Sequence, residues 1–292
     1  MTRRLHLVVN PSAGGGRAVR RLPAVEAALR AAGHDVVVSL TRSLAHADAL
    51  SEHAVRDDRV VVALGGDGLV GRVGGAVSSL GGLLGILPGG RGNDFCRAVG
   101  IPLDPVAACG VLLDGQERRV DLGDAGGTPF LGIASIGFDS DVQERVLTSR
   151  VPLGRLVYLY GSLATVAAWQ PATFRCRIDG AVVTVLGWSV AVANSGIYGG
   201  GMRLAPGASV EDGRLDVVTN AQTSRMRFLR ALPKVFRGTH ITEPSVTVRS
   251  AAVVELSADR AFRVFADGDP VATLPCTVTV RPSALRVLLP RR

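Results

Sequence analysis

Along the first third of the chain the hydrophobic positions come in short unbroken runs. "LHLVVN" (5–10), "DVVVSLT" (35–41), "RVVVALGG" (59–66) and "LLGILPGG" (83–90) are apolar at consecutive residues, as expected of strands buried on both faces. The stretches between them read as helices: an Ala/Leu/Arg segment ending near Ala32, "AHADALSEHAVRD", and residues 69–79. Strand–helix alternation predicts an α/β domain with a parallel sheet. From about Leu122 the pattern turns to short alternating runs such as "FLGIASIGF", "TFRCRIDG", "AVVTVLGWSVAVANS", "SVTVRS" and "FRVFADG", separated by Gly, Pro, Asp or Ser. These predict a mainly β, sandwich-like second domain, interrupted by helical stretches at roughly 139–169 and 224–237. The expected division is 1–122 and 123–282, with a tail at about 283–292 that can return to the first domain.

In parallel sheets ligands sit beyond the carboxyl ends of the strands. Three of the four early strands run there into glycine-rich turns: "NPSAGGG" after the first, "GGDG" at Gly65, and "PGGRGNDF" at Gly89. The first lacks the Gly-Lys-Ser/Thr ending of a P-loop. Two of the turns carry an acid, Asp67 and Asp94, so the edge reads as an anion and metal pocket. Asp94 also fits a plain helix N-cap, and Asp267-Gly268-Asp269 a plain hairpin turn.

Composition narrows the chemistry. The 292 residues are 47% hydrophobic and 4% aromatic, so the core is aliphatic; the formal charge of +8 comes from arginine, because Lys234 is the only lysine. No P-loop lysine, kinase strand lysine or Schiff-base lysine is available elsewhere. The charge suits nucleic acid, an anionic membrane or a polyanionic substrate. No aromatic interleaving or reader motif supports nucleic acid. Cys96, Cys109, Cys176 and Cys276 share no metal or redox spacing and read as reduced packing residues of a cytoplasmic protein. The basic start has no signal-peptide character, and the apolar run from Val157 to Trp169 falls short of the ~20 residues of a membrane span. Membrane contact is therefore expected to be peripheral, at the inner face.

The order "NPSAGG", "GGDG", "PGGRGNDF", "GFDS", "YGGGMRLAP", "EDGRLD" and "DGD" resembles the diacylglycerol kinase catalytic-domain family, which includes bacterial soluble lipid kinases and the sphingosine and ceramide kinases. The resemblance implies an NAD kinase/diacylglycerol kinase-like first domain and an ATP- and Mg²⁺-dependent lipid kinase. It implies nucleotide contacts at Asn10, Pro11, Ser12, Ala13, Gly14, Thr41, Gly65, Gly66, Asp67, Gly68, Leu69, Arg72, Gly90, Arg91 and Asn93. Asp67 and Asp94 would place magnesium and phosphates. The family sets its base in an Asp-Gly-Glu segment; Asp269 is the matching candidate, with Asp67 the other carboxylate to consider. A second, structural magnesium is implied at Ser209, Asp212 and Arg214, bound partly by backbone carbonyls with only Asp212 giving its side chain; the residues themselves read equally as an Asp-Gly turn.

The chain also departs from the family. A usual Thr is Leu69, a usual Asn-Glu pair is Gly71-Arg72, a later Asn is Gly75 and another Thr is Arg91. Arg72 and Arg91 are candidates to clamp phosphate instead. The expected partner is a lipid at an anionic membrane surface, approached through "SRMRFLRALPKVFRGTH" (224–240), whose basic and apolar residues also suit a helix packed on the β domain. Diacylglycerol, phosphatidylglycerol and a sphingoid base stay open as substrates, and a homodimer stays open as the assembly. The rivals are a soluble NAD kinase-like enzyme and a catalytically impaired lipid- or nucleotide-binding regulator.

Overall fold

The computed structural model describes residues 2–148 and 165–291. Four parallel strands, β1 (Arg4–Val9), β2 (Asp35–Leu40), β3 (Val60–Gly65) and β4 (Leu83–Pro88), lie in the order β4-β3-β1-β2. Helices α1 (Arg17–Ala31), α2 (Leu44–Arg56), α3 (Asp67–Ser79), α4 (Asp94–Val99) and α5 (Pro105–Asp114) connect and flank them. The unbroken apolar runs are explained by burial: β3 and β4 are buried at every residue but their first.

The second half is built from β5 (Gln116–Ala125), β6 (Thr128–Phe130), β7 (Ile133–Gly137), β8 (Ala172–Ile178), β9 (Ala181–Ala193), β10 (Leu215–Ala221), β11 (Val246–Ala251), β12 (Val253–Ala258), β13 (Arg263–Ala266), β14 (Asp269–Thr273) and β15 (Cys276–Leu289). All pairings within it are antiparallel. Among the described residues, α6 (Phe138–Thr148) and α7 (Arg225–Arg237) interrupt it. The rest of the helical stretch expected up to 169 falls largely at 149–164, outside the described residues. Helix α7 continues through Pro233, capped by Ser224 Oγ, which accepts the Arg227 N–H, and ended by left-handed Gly238.

Strand β15 belongs to both halves. Its start pairs antiparallel with β12, its end runs parallel beside β4 through Arg286 and Val287, and β5 pairs along most of its length. One sheet therefore crosses the whole molecule, with one apolar core around Leu7, Leu64 and Leu87 and another around Phe174, Trp188 and Val264.

Candidate active site

The carboxyl ends of β1, β3 and β4 bring the glycine turns into backbone contact. Asn10 folds the first turn on itself, its Oδ1 accepting Ser12 N–H at 3.0 Å and Ser12 Oγ–H at 2.9 Å. A Cβ on Gly14 would stand 2.5 Å from the Gly89 carbonyl oxygen, and one on Gly90 would overlap Gly66 Cα. Gly89 and Gly90 both donate their N–H to the Gly65 carbonyl, at 2.7 and 3.0 Å. Asn93, in a left-handed conformation, accepts the Gly90 N–H at 2.8 Å, and Arg17 donates to the Gly90 carbonyl. The first turn of α3 opens from this floor without a side-chain cap.

Two carboxylates meet at the rim. Asp67 Oδ1 accepts the Phe95 N–H at 3.1 Å, so it covers the start of α4. Asp94 does not cap its own helix; Asn93 occupies that position. Asp94 reaches to the second half of the molecule, where both its oxygens accept the Gly200 N–H at 3.1 and 2.9 Å. A Cβ on Gly92 would lie 2.8 Å from Asp94 Oδ2 and 3.1 Å from Asp67 Oδ2, so the two side chains converge over this glycine. Burial raises the pKa of Asp67, and burial followed by the charge of Asp67 pushes Asp94 up to about 6.

The Asp267-Gly268-Asp269 turn completes the group. Positive φ at Asp267 and Gly268, with Ala266 paired to Asp269, makes this the tight hairpin that Asp-Gly favours. The turn delivers both carboxylates onto α3. Asp269 Oδ2 packs against Gly68, and Asp267 Oδ2 would sit 2.6 Å from a Cβ on Gly71. Asp267 also accepts the Leu131 and Gly132 N–H groups at 2.9 and 2.8 Å. Burial, then the charges of Asp67 and Asp269, carry its pKa up to about 7 against those hydrogen bonds; burial also raises that of Asp269. Asp267 had no role in the sequence reading. Its one signal was Gly71, whose missing side chain leaves the space that Asp267 fills.

Other expected residues are placed differently. Leu69 is 4% exposed and folds back on Gly65, so its side chain is core and only its backbone faces the turn. Arg72 is held by Asp48 of α2, with Nε 2.8 and 2.9 Å from the two carboxylate oxygens, so its charge is already neutralised. Arg91 is exposed and has no ion pair or hydrogen bond among the described residues. Ala13 and Thr41 are buried, Thr41 donating its N–H to Val9. Gly75 leaves room for Pro129.

Around the positions implied for a second metal, the side chains make local contacts. Asp212 Oδ1 accepts the Arg214 N–H at 3.0 Å, Ser209 Oγ accepts the Glu211 N–H at 3.3 Å, and the Arg214 guanidinium pairs with Asp179 at 3.0 Å. What fixes this loop is Asp121, which the sequence reading missed. It is 1% exposed and accepts N–H bonds from Gly213 at 2.7 Å and Ser283 at 2.6 Å. No group of three or more His, Cys, Asp or Glu suited to a metal occurs among the described residues.

Residues 4–125 match the diacylglycerol kinase catalytic domain, and residues 132–289 match the YegS C-terminal NAD kinase beta sandwich-like domain. A diacylglycerol kinase of Mycobacterium tuberculosis is 35% identical over 97% of this chain and 94% of its own length. The chain belongs to the diacylglycerol kinase catalytic-domain family. A probable lipid kinase YegS-like protein of Pseudomonas fluorescens is 35% identical over 91% of this chain and 89% of its own. A crystal structure of a diacylglycerol kinase from Bacillus anthracis shares the fold, with a TM-score of 0.75, 21% identity, and coverage of 98% of this chain and 97% of that one. The family is thus one of lipid kinases, in which the departures at Gly71 and Gly75 are filled from the second half of the molecule by Asp267 and Pro129.

Proposed function

We propose that the protein transfers the γ-phosphoryl group of ATP, with magnesium, to the hydroxyl of diacylglycerol or a closely related lipid. The observation that carries this reading is the convergence of Asp67 and Asp94 over Gly92, at the rim of the glycine floor, with the Asp267–Asp269 turn seated on α3 beside them. Touching glycine turns and an uncapped helix start offer N–H groups to phosphate where the lysine of other kinases is lacking. Arg17, which donates to the Gly90 carbonyl, and exposed Arg91 would add charge there.

Asp67 and Asp94 suit a hard divalent cation: their burial and mutual repulsion are relieved by positive charge, and two carboxylates plus phosphate oxygens are a usual magnesium set. When bound, magnesium would neutralise charge on the transferring phosphoryl group. The lipid oxygen attacks the γ-phosphorus, the bond to the bridging oxygen of ADP breaks, and the hydroxyl proton passes to a carboxylate. Asp269 is assigned as that base, because its oxygens accept no hydrogen bond among the described residues and burial raises its basicity. Asp267, with a pKa near neutrality but two N–H donors on its oxygens, is the second reading.

A lipid substrate also needs an apolar place. A cavity of about 60 Å³ lies beneath α7, lined by Ala191, Leu204, Val218, Phe228, Leu232 and Val235. Asp139 and Tyr198 also line it, the Tyr198 hydroxyl donating to Asp139 Oδ1 at 3.4 Å. Two residues further on, Gly200 donates to Asp94. The segment 198–200 therefore ties the apolar cavity to the carboxylates.

The test uses labelled ATP, Mg²⁺ and mixed micelles carrying diacylglycerol, phosphatidylglycerol, sphingosine or no lipid, with soluble NAD as a separate arm. Label in a glycerolipid product is the expected result. Label in NADP alone, or in no product while ATP still binds, overturns it.

A further inference from the structure

Helix α7 carries five basic residues and no acidic one. Phe228 and Val235, seven residues apart, are buried against the β domain. Met226, Arg230, Pro233 and Arg237 follow the opposite stripe, at intervals of four, three and four residues, and all are exposed. Met226 is 59% and Phe236 55% exposed. The basic residues divide into two sets. Arg227 and Lys234 share Glu243, at 3.3 and 2.5 Å, and Arg225 donates to the Trp169 carbonyl at 3.2 Å. Arg230 and Arg237 have no ion pair or hydrogen bond among the described residues, and they stand on the outward stripe itself.

We infer that the exposed side of α7, its outward stripe together with Phe236 on the flank, is the surface by which the protein lies on a bilayer containing anionic lipid, with Arg230 and Arg237 at the phosphates and Met226 and Phe236 entering the acyl boundary. This deepens the lipid-kinase reading and rests on it. Charge complementarity selects the occupant: two unpaired guanidinium groups flanked by exposed apolar side chains, on a helix with no acid, match an anionic interface. The position of the helix points the same way. Its inner face lines the cavity that Asp139 and Tyr198 also line, so a bilayer on its outer face is one helix away from that cavity.

The experiment sediments the full chain with vesicles of phosphatidylcholine alone or mixed with phosphatidylglycerol. Three double variants accompany the wild type: Arg230→Ser with Arg237→Ser, Met226→Ser with Phe236→Ser, and, as a charge control on the β domain, Arg175→Ser with Arg249→Ser. A parallel assay measures turnover of a short-chain diacylglycerol dissolved as monomer, which needs no bilayer. The expected result is binding by wild type and control to phosphatidylglycerol vesicles, and a loss of at least about tenfold in each α7 variant, with monomer turnover and melting temperature unchanged. Absence of vesicle binding by the wild type, equal binding by the α7 variants, or an equal loss in the control overturns the inference. Failure of monomer turnover in the wild type would count against the kinase reading alone, since sedimentation reports the docking surface independently.

Discussion

At the scale of single residues, the Asp-Gly-Asp hairpin separates two roles that the sequence offers together. Asp269→Asn removes a proton acceptor but not a hydrogen-bonded anchor. We expect kcat to fall by at least about a hundredfold, the scale of general-base loss, with melting unchanged, as read by initial rates and thermal scans. If Asp267→Asn instead takes the greater share of kcat while Asp269→Asn retains it, the base is Asp267. A pH dependence follows from the same carboxyl. Asp267 in the folded chain holds its proton up to about pH 7, whereas its ordinary value is 3.8. Between those values the folded state binds the proton that the unfolded state has released. The contribution to stability is full below the unfolded value and is lost as pH rises towards 7. Asp94 and Asp139, both raised to about 6, act in the same direction. Denaturant titrations at intervals across this range should show stability falling with pH, and a shallower fall in Asp267→Asn.

At the scale of elements, α3 explains why the departures from the family do not read as loss. Restoring Asn at position 71 places a Cβ 2.6 Å from Asp267 Oδ2, within a packed seam. Overpacking of this kind costs about 1–3 kcal/mol, so Gly71→Asn should melt several degrees lower and lose turnover. Adding Asp267→Gly in the same chain should recover the melting temperature but not the rate. Much of this element was legible in advance: the apolar runs of β1–β4, the glycine turns at their carboxyl ends, and Asp67 and Asp94 within them all follow from local pattern. What could not be read is contact across the fold. Gly71 and Gly75 looked like missing ligands because Asp267 and Pro129, which take their space, lie far away in sequence. Arg72 looked like a phosphate clamp for the same reason, its partner Asp48 standing on another helix. Asp121 gave no signal, since its partners are backbone N–H groups.

At the scale of the whole molecule, β15 is the member on which both halves depend. Leu285, Val287, Leu288 and Leu289 are fully buried in the core of the first, α/β half. Their burial is worth roughly 6–12 kcal/mol, comparable to the total stability of an ordinary domain. A chain ending at Arg281 should therefore be insoluble or unfolded, as judged by solubility and circular dichroism, although every glycine turn and every candidate carboxylate is still present. Rescue of the soluble fold by a separate peptide of residues 282–292 would fit the same account; a stable, cooperative truncation would contradict it.

The same strand sets an order for synthesis. The ribosome releases β1–β4 and all three glycine turns long before β15, so the first half must wait with β4 as a bare edge while the entire second half is translated. The first part made is thus among the last to finish folding, and a chaperone that shields strand edges would find its substrate here during that interval.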